Sequence, residues 1–154
     1  MKRLFAPWRI DYILSSRTRK CLFCSVTRQK KDKENLIIHR GKHVFVIMNK
    51  YPYNNGHIMV VPYKHTPCLE DLDDNTLLEM MKLTRQYLRK MKSVMKAHGF
   101  NIGINIGKTA GAGIKDHIHL HIVPRWEGDN NFMPVLGKDR ILSESFESVY
   151  KKLK

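Results

Sequence analysis

The sequence predicts an α+β domain, an antiparallel sheet covered by one long helix. Three observations carry this. Five short apolar runs are separated by turn residues, as strands are. One stretch, 73–98, changes to apolar residues spaced three and four apart, as a helix face requires. The first two strand runs stand two residues apart, the hairpin spacing that makes antiparallel neighbours. A length of 154 residues suits one domain, and 42% hydrophobic against 27% charged residues places the chain among globular proteins.

Taken in order, the N-terminal segment 1–34 runs into a basic and polar stretch. Within it "RTRKCLFCSVTRQKKDKEN" offers the pair Cys21 and Cys24 as its one anchor. "NLIIHR" (35–40) and "HVFVIMN" (43–49) are strands joined at Gly41-Lys42. "YPYNNG" (51–56) is turn chemistry, and "HIMVVP" (57–62) is a third strand ended by Pro62. In the helix, Leu77, Met81, Thr84, Leu88, Met91 and Met95 form the face expected to pack on the sheet. Glu70, Asp71, Asp73 and Asp74 at its start, and Lys90, Lys92 and Lys96 towards its end, suit the helix dipole. Gly99 fits the position just past its end. "FNIGINIG" (100–107) is a fourth strand, "KTAGAGIKD" (108–116) a glycine-rich loop and "HIHLHIVP" (117–124) a fifth strand. "RWEGDNNFMP" reads as an irregular loop, and Phe146, Val149, Tyr150 and Leu153 give a short amphipathic C-terminal helix. The expected organisation is a single domain over 1–154: segment 1–34, sheet and long helix in 35–124, and C-terminal loop and helix in 125–154.

No apolar run approaches the roughly 18 residues of a membrane span. "MKRLFAPWRIDYI" has neither a long apolar core nor a small-residue cleavage site, so no signal peptide is expected and the expected location is cytoplasmic. Lys and Arg number 28 against 14 Asp and Glu, a formal charge of +14. That surplus attracts anions, whether nucleic acid, phosphorylated metabolites or anionic membranes. It is spread along the chain, which equally suits a solubilised surface. No basic motif interleaved with aromatics is present, so a nucleic-acid partner is not expected. Three cysteines, an odd number, argue against a disulfide framework, and Cys68 reads as a small buried hydrophobe.

The chemistry concentrates in "DHIHLHIVPRW" (116–126). Alternation along a strand puts His117, His119 and His121 on one face, with Ile118, Leu120 and Ile122 on the other, against the helix. Three imidazoles in a row cannot all be satisfied core residues, so they line a cleft, bind metal, or both. A neutral imidazole is a competent nucleophile towards phosphorus, and protonated neighbours donate to phosphate oxygens. Gly111, Ala112 and Gly113 carry so little bulk that their backbone N–H groups can approach an anion. Cys21-x-x-Cys24 is open to three readings: a redox pair, half of a structural zinc site, or an incidental spacing.

"HIHLHIVPRW" resembles the signature of the histidine triad (HIT) superfamily. "MNKYPYNNGHIMVVPYKH" (48–65) is similar to the family's Asn/Asp-x-x-Pro…Gly-His-x-φ-φ-x-Pro…His stretch, where φ is hydrophobic, and "CLFC" resembles the cysteine pair of its zinc-containing members. "APWRIDYI" and "VPRWEGDNNFMP" look like the branch of diadenosine tetraphosphate phosphorylases and hydrolases. The resemblance implies a HIT-like fold, a five-stranded antiparallel sheet with a long and a short helix. It implies an enzyme that cleaves dinucleoside polyphosphates at the α-phosphate through a nucleotidyl-histidine, with water or orthophosphate as acceptor. By position His119 is the nucleophile, and His121 and His57 hold the phosphates. Asn49 meets the ribose, Asn105 lies near phosphate and ribose, and residues around Ile47 sandwich the base. It further implies structural zinc on Cys21, Cys24, His65 and His117, no metal at the reacting phosphate, and a homodimer of abutting sheets. The strand "HVFVIM" and the Met-rich helix offer surface for such a dimer. His39, His43 and His98 match no motif and read as surface or structural residues. Alternatives are a nucleoside phosphoramidate hydrolase, or a non-catalytic nucleotide- or RNA-binding regulator.

Overall fold

The computed structural model describes residues 21–129 and 144–154. The segments "APWRIDYI" and "NNFMP" lie outside the described residues. The elements are α1 (Leu22–Arg28), β1 (Ile37–Arg40), β2 (Val44–Met48), β3 (Ile58–Pro62), α2 (Asp74–Met95), β4 (Gly99–Ile104), β5 (Leu120–Arg125) and α3 (Phe146–Leu153). The five strands form one antiparallel sheet in the order β1-β2-β3-β5-β4.

The pleat of this sheet separates two apolar layers. Val44, Val46 and Met48 of β2, with Ile58, Val60, Leu120 and Ile122, face α2 and α3. Phe45, Ile47, Met59 and Val61 face the other way, under Phe23 and Val26 of α1. Ile118, Leu120 and Ile122 do lie on the α2 side.

The long helix is where expected, but rotated. Its buried face is Thr76, Met80, Leu83, Thr84, Tyr87, Met91 and Met95. Met81 is 57% exposed, and Leu77 and Leu88 are only half-buried at the margin. Apolar residues flank the true stripe on one side, so two phases of the 3.6-residue repeat fit the sequence, and the sheet selects the one that buries Tyr87. Asp73 caps the start through the Thr76 N–H at 2.9 Å. The end is not at Gly99: Lys96 takes the left-handed conformation (φ 52°) and Gly99 opens β4.

Two strand bounds differ as well. The ladder of β5 begins at Leu120, so His117 and His119 precede it, and β4 ends at Ile104. The helix α1 has no counterpart in the sequence reading. With one apolar pair, Phe23 and Val26, in a polar stretch, its periodicity is too short to register, and packing on the sheet holds it. The hairpin loop is clasped from α2: the Glu79 carboxylate accepts from the N–H groups of Lys42 (2.9 Å) and His43 (2.5 Å). Every residue of β2 is buried and the strand is interior, so "HVFVIM" offers no surface to a second copy. The edge strands are β1 and β4, and on β4 Ile102 is 45% exposed. Among the described residues no helix is long and apolar enough to cross a membrane.

Candidate active site and metal centre

Strand register builds the site. Ile37, Ile47, Met59, His121 and Gly103 form one row across all five strands, on the face away from α2. His121 therefore stands between a methionine and a glycine. A Cβ on Gly103 would meet nothing within 4 Å, so the sheet is open on that side of the imidazole. A cavity of about 190 Å³ lies there, lined by Tyr53, Asn101, Gly103, Asn105, His121 and Val123.

The backbone fixes which nitrogen of each histidine carries its proton. Nδ1 of His119 lies 2.8 Å from the carbonyl of His117, so Nδ1 holds the hydrogen and Nε2 keeps a lone pair. That Nε2 makes no hydrogen bond among the described residues. Among the described residues no fully buried side-chain nitrogen or oxygen lacks a partner, so this one reaches the surface although the residue is only 4% exposed. The ring is roofed by Phe23, with centroids 5.2 Å apart, and stands 4.7 Å from the ring of His121. Burial lowers the pKa of His119, which keeps the ring neutral.

His57 and His121 form a relay. The Tyr53 amide donates to Nδ1 of His57 at 3.1 Å, and an amide can only donate. The His57 proton is therefore on Nε2, 2.8 Å from Nδ1 of His121. His121 must then carry its own hydrogen on Nε2, leaving an N–H donor for an anion. Burial, and secondarily the neighbouring His119, pushes the pKa of His121 down to about 4.

Asn49 sits beside this relay, with Nδ2 3.3 Å from Nδ1 of His57 and Oδ1 accepting from the Tyr51 N–H. Ile47 is on the same face but only 5% exposed, enclosed with Phe23 and Val26. The glycine loop departs from expectation. The N–H groups of Gly111 and Ala112 are taken by the carbonyls of Lys108 (3.0 Å) and Gly107 (3.3 Å). Of the three anticipated donors, Gly113 alone has an amide outside these turn bonds.

The residues that position the site without a sequence motif are Phe23, Tyr53, Asn54 and Asp129. The Tyr53 ring lies 4.7 Å from that of His57 and 5.7 Å from that of His121. Asn54 donates to Asp129 at 2.8 Å and to the Pro124 carbonyl at 3.2 Å, tying the turn before His57 to the end of β5. Asp129 also accepts from Arg125 and from the Trp126 N–H. The Arg125 hydrogen bond holds its carboxyl well below the usual range. Pairings 70 or more residues apart leave no local signal; Arg125 and Asp129, four apart, gave the one available hint.

A second constellation flanks the first. His117 Nε2 donates to the Pro62 carbonyl at 2.9 Å, so its Nδ1 keeps a lone pair. That Nδ1 lies 3.3 Å from Sγ of Cys21, 3.7 Å from Sγ of Cys24 and 3.2 Å from Nδ1 of His65. Cys24 Sγ is 3.5 Å from His65 Nδ1. All four atoms lie within 4.8 Å of one another. A tetrahedral zinc with bonds of about 2.05 Å to nitrogen and 2.3 Å to sulfur has N···N edges near 3.3 Å and N···S edges near 3.5 Å. The donor set and its spacing therefore fit that ion. Cys21 is the N-cap of α1, His65 follows β3 and His117 precedes β5, so three separate elements converge here. Cys68 is half-buried and belongs to neither constellation, nor do His39, His43 and His98.

The HIT domain family model matches residues 30–128. The AP-4-A phosphorylase of Mycobacterium tuberculosis is 38% identical over 152 residues, covering 94% of this chain and 78% of that protein. The asymmetrical bis(5'-nucleosyl)-tetraphosphatase of Schizosaccharomyces pombe is 32% identical over 93 residues, covering 60% of this chain and 50% of that protein. The crystal structure of a Zn-bound histidine triad family protein from Mycobacterium smegmatis superposes with a TM-score of 0.71 at 30% identity, over 87% of this chain and 90% of that one.

Proposed function

This chain belongs to the HIT domain family, and from that premise we propose that it is an enzyme cleaving dinucleoside polyphosphates at the α-phosphate, with His119 as nucleophile. One observation carries the assignment: the His117 carbonyl takes the Nδ1 hydrogen of His119 and leaves a neutral, outward Nε2. The lone pair of Nε2 attacks the α-phosphorus, and the bond from phosphorus to the bridging oxygen of the leaving polyphosphate breaks. His121 Nε2–H, held in place by His57, donates to the phosphate oxygens where charge accumulates, as an oxyanion hole does. An acceptor oxygen then attacks the nucleotidyl-histidine, the P–N bond breaks, and His119 returns to its neutral form. Water as acceptor gives hydrolysis and orthophosphate gives phosphorolysis; the mycobacterial relative's name favours the second. Asn49 and Asn105, with Ile47 and Met59 of the same row as His121, provide the nucleoside side of the site.

Cys21, Cys24, His65 and His117 would hold zinc. Bound there it supplies a structural cross-link between α1, β3 and the start of β5, one pleat from the nucleophile. The steps at phosphorus call on imidazole donors and no metal ion. A homodimer through the open edge of β4, in the cytoplasm, completes the proposal. The test is to mix the protein with diadenosine tetraphosphate, with and without orthophosphate, and separate the products. ATP with ADP marks phosphorolysis, ATP with AMP hydrolysis. No cleavage, together with release of AMP from adenosine monophosphoramidate, overturns the substrate assignment.

A further inference from the structure

The charge surplus that the sequence spreads along the chain is gathered by α2. Lys82, Arg85, Arg89, Lys92 and Lys96 are all exposed and recur at spacings of three and four. At 100° per residue the first four fall within a sector of about 80°, along roughly 15 Å of helix axis, and Lys96 follows as the residue that ends the helix. The carboxylates of α2 are Asp74 and Glu79, both before the stripe, and Glu79 is committed to the hairpin amides. None of the five cations makes an ion pair or hydrogen bond among the described residues. The neighbouring α3 differs: its Lys151 and Lys152 are paired with Glu147 and Glu144 at 3.2 and 2.5 Å. Like charges at these spacings repel along a helix, so the stripe weakly opposes folding, and an anionic partner would relieve that repulsion.

The stripe does not serve the histidine site. That site is on the opposite face of the sheet, beyond the apolar layer of Met80, Leu83, Tyr87 and Met91. Sheet and helix together exceed the Debye length of about 8 Å at physiological ionic strength, so steering of substrate from there is screened. A membrane surface is a poor match, because the apolar face that an interfacial helix inserts is here packed on the sheet. Asn75, Gln86 and Ser93, exposed beside the cations, offer hydrogen bonds, and the exposed apolar residues near the stripe, Leu78 and Met81, lie only at its N-terminal end. We infer that the outer face of α2 binds the phosphate backbone of nucleic acid through Lys82, Arg85, Arg89, Lys92 and Lys96, independently of the nucleotide site. Contact is with evenly spaced phosphates and not with bases, so it is insensitive to sequence.

The experiment uses the full chain with excess diadenosine tetraphosphate present, and two labelled probes: a 20-nucleotide mixed-sequence RNA and a 20-base-pair DNA duplex. With five phosphate contacts, log K should fall with log salt at a slope of about −3.5 on the single strand. The variant R85Q/R89Q/K92Q, all on the solvent face, should keep its melting temperature and its cleavage rate. Its slope should shrink to about −1.4 and its binding near 0.1 M salt weaken at least about tenfold. Equal binding by variant and parent overturns the inference, as does complete displacement of both probes by the dinucleotide. Stripe-dependent binding to phosphatidylserine vesicles without binding to either nucleic acid also overturns it, in favour of a membrane.

Discussion

His117 and His119 are two residues apart on the same face of the chain, yet they present opposite nitrogens. His117 gives its Nε2 hydrogen to the Pro62 carbonyl and keeps Nδ1 open towards Cys21, Cys24 and His65. His119 gives its Nδ1 hydrogen to the His117 carbonyl and keeps Nε2 open. On the proposed function one imidazole serves as a metal ligand and the other as the nucleophile, and the difference lies in which ring nitrogen finds a backbone carbonyl. A row of identical side chains thus acquires two chemistries from the peptide groups around it, as second partners of histidine commonly do.

Four experiments break or sharpen that contrast. The largest effect is expected on the nucleophile side. His119→Asn should lower kcat by about 10⁴-fold or more while metal content and melting temperature stay near those of the parent. Single-turnover kinetics with a far smaller loss would remove His119 from the role. Next comes the metal side. Cys24→Ser, or treatment with a strong chelator, should eliminate stoichiometric zinc and lower the melting temperature by on the order of 10 °C, a few kcal/mol for a domain of this size. Its catalytic loss should be smaller than that of His119→Asn, since on the proposed function the ion would orient the strand without touching phosphorus. An equal loss in both variants would merge the two constellations into one.

A smaller effect separates the relay from the nucleophile. His57→Ala removes the hydrogen bond that sets the tautomer of His121, so kcat should drop by about 10²-fold, the worth of one misplaced oxyanion donor. Unchanged kcat with a raised KM would reduce His57 to a binding residue. The smallest effect is on stability with pH. The folded-state pKa of His121 lies at about 4, below the ordinary value of 6.5. The unfolded chain therefore takes up the proton first, and stability declines as pH falls from about 6.5 to about 4, with no change from this group above 7. Thermal melts of parent and His121→Asn across that window should show a shallower decline in the variant.

Most of the fold was legible because its signals are local. Gly41-Lys42 between two apolar runs, Pro62 at the end of a third, and the 3.6-residue repeat of 73–98 each need only their neighbours to be recognised. The phase of that repeat was not legible. Met81 and Met80 are equally apolar, and burial of one over the other follows from where the sheet lies. The triad histidines and the cysteine pair were legible as residue types at a spacing. Phe23, which roofs both His117 and His119 at 5.3 and 5.2 Å, was not, because a lone aromatic in a basic segment has no period. The clasp of Asn54 on Asp129 spans 75 positions and could not be seen from either end.

The sequence by itself determined the strands, the long helix and the alternation that places three imidazoles on one face, because backbone periodicity needs no distant partner. Tertiary structure decided what each imidazole does. Antiparallel β3 brings the Pro62 carbonyl and His65 to His117, while α1 brings two sulfurs and the phenyl roof. Proton position on a histidine depends on acceptors within about 3 Å, and those are supplied by chain folded back from afar.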